Sequence, residues 1–204
     1  MAERDFPTRK EAEHILAEAE PHNPGPWGDH CRTAAMCAER IAARCTELDP
    51  EKAYVLGLLH DIGRRFGVKH LGHVYDGWQY MLRLGYPAAA RVCLTHSFVT
   101  GDIHDYIGRF DIQEEQQREI ENALHALTFD DYDRLVMLCD AISGAEGVMD
   151  MEDRMADIER RYGNYPEDKR EANRALRRYF EAKMSADLYA VVGRKDTEED
   201  GHAV

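Results

Sequence analysis

The chain has 204 residues, of which 26 are Lys or Arg and 39 are Asp or Glu, so its formal net charge is −13. A surface this acidic repels phosphate backbones and anionic lipids, which argues against a nucleic-acid-binding or membrane-surface protein. The longest stretch without a charged side chain, residues 92–101, is too short for a transmembrane helix, and the hydrophobic content of 44% is typical of a folded globular protein.

Helix start and stop signals follow one another along the chain. Thr8 and Glu11 form a capping-box pattern, Asp49 and Pro50 are suited to open a later helix, and Gly63 is predicted to end that helix in a left-handed conformation. With the hydrophobic periodicity, these signals predict helices over 9–20, 27–48, 50–63, 73–84, 87–97, 113–127, 131–143, 150–162 and 166–192. The predicted fold class is therefore all-α.

Residues 91–100 are ambiguous because their β-branched and aromatic side chains would also suit a strand. No partner strand is evident elsewhere, so the helix is favoured. No linker divides the helices, which predicts a single domain over residues 1–193, followed by a polar, disordered tail over 194–204.

The five cysteines are odd in number, and no two have the spacing of a zinc knuckle or a redox motif. Most lie among apolar residues at helical spacing, which predicts buried, reduced thiols. No signal peptide is visible at the N-terminus. Together these features favour a cytoplasmic protein.

Histidine and aspartate residues lie on predicted buried faces. His30 falls on the apolar face of the second predicted helix, and His60 is followed directly by Asp61 in a leucine-rich turn. Asp140 follows an apolar run near the end of the seventh predicted helix. Each residue alone could be a satisfied core residue, but the adjacent His60 and Asp61 form a much more specific pattern.

An unpaired carboxylate in an apolar interior costs several kcal/mol. No Lys or Arg is predicted on these inward faces to neutralise it. A metal ion binds imidazole nitrogen and carboxylate oxygen together. We therefore predict one metal site formed by His30, His60, Asp61 and Asp140.

The order His30, then His60-Asp61-Ile62-Gly63, then Asp140 resembles the HD-domain superfamily of metal-dependent phosphohydrolases, over roughly residues 30–143. The resemblance implies an all-α helical bundle. It also implies hydrolysis of a small phosphorylated metabolite or nucleotide, by attack of metal-bound hydroxide on phosphorus, with Asp61 as the catalytic residue.

In the dinuclear branch of the superfamily, two further histidines bind a second ion. In this chain the histidines that resemble them are His73, in a His-x-x-x-Gly setting, and His96. The other candidates for these two ligand positions are His70 and His104. Mononuclear members lack these histidines, so helix-capping or core roles stay open. The resemblance implies divalent ions, two if His73 and His96 are ligands, chosen from Fe, Mn, Zn, Ni, Co and Mg.

Three basic residues, Arg64, Arg65 and Lys69, follow the His-Asp pair and are candidates for binding the substrate phosphate. Cations near a helix C-terminus are also favoured by the helix dipole, and the sequence does not separate the two roles. The expected partner is a small phosphorylated substrate, with no nucleic acid or membrane, and a homo-oligomer is possible.

Two alternatives to the hydrolase are kept. Some members of the superfamily use the same six-ligand pattern to hold two irons that activate dioxygen and oxidise an organic substrate. The other alternative is a metal-bound regulatory module without turnover. The complete set of ligand residues argues against it, because a protein without activity would not need to keep all of them.

Overall fold

Residues 4–194 are described by a computed structural model, in which ten α-helices and one two-residue β-ladder are connected by short turns. The helices are α1 Arg9–Ala19, α2 Trp27–Ala42, α3 Pro50–Leu59, α4 Leu71–Arg83, α5 Pro87–Thr95, α6 Glu114–Ala126, α7 Asp131–Ile142, α8 Met151–Tyr162, α9 Glu167–Met184 and α10 Leu188–Val192. The strands β1 (Ser143–Gly144) and β2 (Gly147–Val148) pair antiparallel. The predicted all-α class is confirmed.

The predicted helix caps form as side-chain hydrogen bonds. The Thr8 side chain accepts from the backbone N–H of Glu11, and the Glu11 carboxylate accepts from that of Thr8. Asp49 caps α3 by accepting from Glu51 N. These caps begin each helix at the predicted residue because they satisfy N–H groups that have no partner inside the helix.

Several helix ends differ from the prediction. α2 ends at Ala42, and residues up to Leu48 form turns closed by backbone hydrogen bonds between residues three apart. The last predicted helix is interrupted at Ser185, which has a φ of 50° and ends α9; Asp187 then caps the separate α10 by accepting from Ala190 N. Helix α5 ends at Thr95, and its helical structure excludes the strand alternative there.

The prediction for Gly63 is wrong. It has no positive φ, and it lies inside a short 3-10 helix, Ile62–Phe66, after α3 has ended at Leu59. A Cβ atom on Gly63 would lie 1.9 Å from the carbonyl oxygen of His73 and 2.5 Å from the nitrogen of Gly77. The glycine is therefore needed for the close approach of this segment to the first turns of α4.

Helix α2 is central to the packing. It contacts α3 and α7 along its length, and it also contacts α10 and β1. Its face towards α3 is lined by small residues: a Cβ on Gly57 of α3 would lie 2.9 Å from the Cα of Ala35. The start of α2, which carries His30, is thereby brought close to the ends of α3 and α7.

All five cysteines are buried and free, as predicted. None of the helices between residues 4 and 194 could cross a bilayer, since each is too short or too polar. Of the tail predicted as disordered, Arg194 is ordered and donates to Asp150 Oδ2 at 2.9 Å. The rest of that tail, 195–204, lies outside the described residues.

Substitution Gly63→Ala should lower the free energy of unfolding by about 1–3 kcal/mol, because the added methyl group has no space against α4. For a domain of this size, that is a fall of about 2–4 °C in the thermal midpoint for each kcal/mol. Gly25→Ala is the control, since the nearest atom to its Cβ would be 3.7 Å away. Thermal unfolding followed by circular dichroism tests this, and equal midpoints for the two variants would contradict it.

Candidate metal centre

Six histidine and aspartate side chains from neighbouring helices meet at one buried place. Most lie at or just beyond a helix end. They are His30 in the first turn of α2, His60 and Asp61 directly after α3, His73 in the first turn of α4, His96 directly after α5, and Asp140 in the last turn of α7. At these positions a side chain can reach over the end of its helix towards the others.

The first group of ligand atoms is centred on His30. Its Nε2 lies 3.2 Å from His60 Nε2 and 3.1 Å from Asp140 Oδ1. The Nε2 of His60 is 3.9 Å from the same Asp140 oxygen. The four residues that the sequence predicts as one metal site are thus brought together, with Asp61 also within reach of His30 and His60.

The second group is centred on Asp61. Its Oδ1 lies 3.0 Å from His73 Nε2 and 3.5 Å from His96 Nε2, and these two nitrogens are 3.3 Å apart. Asp61 belongs to both groups of mutually close ligand atoms, so its carboxylate is positioned to be shared. The two other candidate histidines are not in these groups. His70 Nε2 lies 3.0 Å from Nη2 of Arg109, and His104 lines a smaller cavity.

The four imidazole rings are oriented by backbone carbonyls. His30 Nδ1 lies 3.0 Å from the carbonyl oxygen of Ser143 in β1, and His60 Nδ1 lies 2.7 Å from that of Gly57. His73 Nδ1 contacts the carbonyl of His70, and His96 Nδ1 contacts carbonyls of the preceding turn. Since a carbonyl can only accept, each Nδ1 carries the proton and donates, and in the neutral form of each ring the lone pair lies on Nε2.

This arrangement fits divalent metal ions. Pairs of Nε2 lone pairs face each other at 3.2 and 3.3 Å, an unfavourable contact unless a cation lies between or beside them. Two nitrogens bound to one ion at about 2.1 Å are themselves roughly 3 Å apart. Asp61 Oδ1 is buried without a hydrogen-bond partner among the described residues. Histidines whose other nitrogen donates to a backbone carbonyl are typical metal ligands.

Burial and neighbouring charges shift the pKa values of these side chains in different directions. Burial acts to lower the pKa of His96, but the carboxylates of Asp61 and Asp140 outweigh it and raise that pKa. Burial lowers the pKa of His60 to about 4 and also lowers that of His73, so both rings are neutral near pH 7. Burial acts to raise the pKa of Asp61, but the Arg64 guanidinium, His73 and His96 together outweigh it and hold that pKa well below its usual range. Asp61 is therefore ionised as well as buried.

Arg64 corrects one expectation from the sequence. No basic side chain was expected to neutralise the buried carboxylates, yet Arg64 donates from Nε to Asp61 Oδ2. It lies three residues after Asp61 in the 3-10 helix, which bends it back towards the aspartate. The sequence pattern did not predict this contact, because it predicted one continuous α-helix over 50–63 and no 3-10 helix after Asp61.

Five of the six candidate ligand residues, all except His60, line a cavity of about 660 Å³. Arg64 and Lys69, two of the predicted phosphate-binding residues, line it; Lys69 also donates to Asp76 at 2.5 Å. Arg65 is not brought to this cavity. Its guanidinium lies over the ring of Tyr80, 4.6 Å from the ring centroid, and donates to the Tyr80 hydroxyl.

Part of the cavity wall was not anticipated from the sequence. Helices α8 and α9, together with the loop between them, contribute Arg154, Asp157, Ile158, Arg161, Tyr162, Tyr165, Lys169 and Asn173. The sequence does indicate that Arg154, Ile158 and Arg161 share one face of a helix, because their spacing matches the helical repeat. Without the fold, nothing distinguished this face from an ordinary solvated one.

A sequence model described as HD domain matches residues 27–145, more than half of the chain. The chain belongs to the HD-domain superfamily. The HD-domain match contains all six ligand residues and ends before α8, so the α8–α9 wall of the cavity lies outside it. No curated protein and no solved structure matches the chain.

Metal-free protein reconstituted with Mn²⁺, Ni²⁺, Co²⁺ or Fe²⁺ should bind two ions per chain, as measured by elemental analysis. His96→Ala should lower the content towards one, since it removes a ligand of the second group only. His104→Ala is the control, because that ring lies outside the ligand set. Saturation of the wild type at a single ion would contradict the two-ion prediction.

Proposed function

We propose that this HD-domain protein is a metal-dependent phosphohydrolase that acts on a small phosphorylated metabolite or nucleotide. The observation that carries the proposal is the convergence of four imidazole Nε2 atoms and two carboxylates beside one cavity, which all of these residues except His60 line. Two divalent ions, Fe, Mn, Zn, Ni, Co or Mg, would be held by His30, His60, His73, His96, Asp61 and Asp140. The partner is the small substrate, with no nucleic acid or membrane, and self-association stays possible.

When bound, such ions supply a water that ionises near neutral pH and a positive charge opposite the phosphoryl oxygens. The chain's own residues would hold the substrate in place. Asp61 reaches both ligand groups and is the residue whose loss should disturb catalysis most.

Arg64 is suited to contact a phosphoryl oxygen, since it lines the cavity directly beside Asp61. Its planar guanidinium can donate two parallel hydrogen bonds to such a group. Lys69 lines the same side and would add a second positive charge.

Tyr106 is a further donor at this side of the cavity. Burial raises the pKa of its hydroxyl, so the group stays protonated and can donate a hydrogen bond. Trp27 lines the cavity near its edge, and its indole N–H is already used by the carbonyl oxygen of Asn23 at 2.7 Å. It would therefore provide an apolar contact and no hydrogen bond.

The volume of the cavity is consistent with a substrate of nucleotide size or smaller, since small-molecule sites usually measure about 300–1,000 Å³. A phosphate-release screen over nucleotides and sugar phosphates, repeated with each of the six metals, tests the proposal. We expect phosphate release with at least one metal. Oxygen uptake with iron and no phosphate release would favour the di-iron oxygenase, and neither activity would favour the regulatory module.

Asp61→Asn should reduce phosphate release by about 100-fold or more, because the ligand shared by the two groups loses its charge. Far-ultraviolet circular dichroism should stay like that of the wild type. Asp29→Asn, a change at an exposed carboxylate of α2, is the matched control and should retain activity. Full activity in Asp61→Asn would remove this residue from the proposed mechanism.

A further inference from the structure

The wall of the cavity formed by α8 and α9 carries basic side chains that the metal centre does not use. Five basic residues line the cavity, and three have a carboxylate partner at ordinary ion-pair distance or closer: Arg64 with Asp61, Lys69 with Asp76, and Arg161 with Asp157. Of the other two, Arg154 has only a long contact, 4.0 Å to Asp140, and Lys169 has no carboxylate at ion-pair distance within the described residues.

Arg154 has an unused donor. Its Nε is buried and has no hydrogen-bond partner in the part of the chain that the structure describes. Its nearest carboxylate contact is long, 4.0 Å from Nη2 to Asp140 Oδ1. A buried donor without an acceptor is unfavourable, so a ligand that accepts from it is favoured. Asp140 is itself a proposed metal ligand, which would commit its negative charge to the ion.

The Lys169 ammonium group is in direct hydrogen-bond contact only with backbone carbonyls among the described residues. Its Nζ donates to the carbonyl oxygens of Ser97 and Asp105, at 2.9 and 2.7 Å. An ammonium group has three N–H donors, so one remains available, and neutral carbonyls do not cancel the charge. Burial lowers the pKa of Lys169, which is the expected effect on an ammonium with incomplete compensation.

Both side chains face the cavity next to the metal centre. Arg154 approaches Asp140 directly, and Lys169 is bonded to Ser97, the residue after His96. An anion bound here would lie beside the ligand set, on the side formed by α8 and α9.

We propose that Arg154 and Lys169 form a subsite for a phosphate-like oxyanion carried by the substrate, held next to the metal centre by the α8–α9 wall. The proposal rests on the proposed function in that the substrate is phosphorylated. It assigns recognition of the substrate to α8 and α9, which lie outside the region that matches the family model. The candidate metal ligands and the residues that would recognise the substrate therefore lie in separate parts of the chain.

The test is calorimetric titration of the metal-loaded protein with inorganic phosphate. Arg154→Gln and Lys169→Gln should each weaken phosphate binding about 10-fold or more, because a hydrogen bond to a charged group contributes about 1.5–3 kcal/mol. Arg154→Lys and Lys169→Arg keep the charge and should stay closer to the wild type. Matched controls are Arg160→Gln, on the exposed face of α8, and Lys10→Gln, an exposed lysine of α1; both should bind phosphate normally.

Metal content and circular dichroism are measured on every variant. Unchanged phosphate affinity in both glutamine variants at full metal content would overturn the proposal. Loss of bound metal or of helical signal in those variants would also overturn it, because the two side chains would then be structural supports of the ligand set. No phosphate binding by the metal-loaded wild type would do the same.

The two proposals fail in different ways. If no substrate releases phosphate but inorganic phosphate binds and depends on Arg154 and Lys169, the hydrolase assignment fails and the subsite stands. If phosphate is released from a substrate while its binding is indifferent to both residues, the subsite fails and the hydrolase assignment stands.

Discussion

The feature on which this structure depends is the orientation of four imidazole rings by backbone carbonyls. In each ring Nδ1–H donates to a carbonyl, so the lone pair of Nε2 is turned into a shared buried space. Lone pairs at little more than 3 Å from one another, beside two ionised carboxylates, form an environment that a cation stabilises and a neutral core does not. The close approach of the Nε2 atoms to one another and to the two carboxylates follows from this arrangement.

The fold brings these rings together by ending helices at the site. Helix α3 ends just before His60 and α5 just before His96, while α2 begins just before His30. The 3-10 helix after Asp61 can approach α4 closely because residue 63 has no side chain, and that approach brings His73 within 3.0 Å of Asp61. The strand β1 has a similar role, since its first carbonyl orients His30.

The cavity joins two parts of the chain with different properties. The candidate ligand residues lie within the region that matches the HD-domain family, and their side chains are of the kinds that could hold a metal ion. The opposite wall comes from α8 and α9, beyond that region, and its side chains are mostly charged or aromatic. A division of this kind allows one metal centre to serve different substrates, because the wall can vary without disturbing the ligands.

The sequence by itself determined the helical class, most helix starts and which histidines and aspartates are the candidate ligands. Helix caps are local interactions, and a buried His-Asp pair among leucines has few physical solutions other than a metal. Only the tertiary structure decided the early end of α3, the return of Arg64 to Asp61, the separation of Arg65 from the cavity, and the approach of Arg154 and Lys169. These features depend on contacts between residues far apart in the chain or on a local bend. Hydrophobic periodicity reports only which face of a helix is buried, and it carries no information about what that face meets.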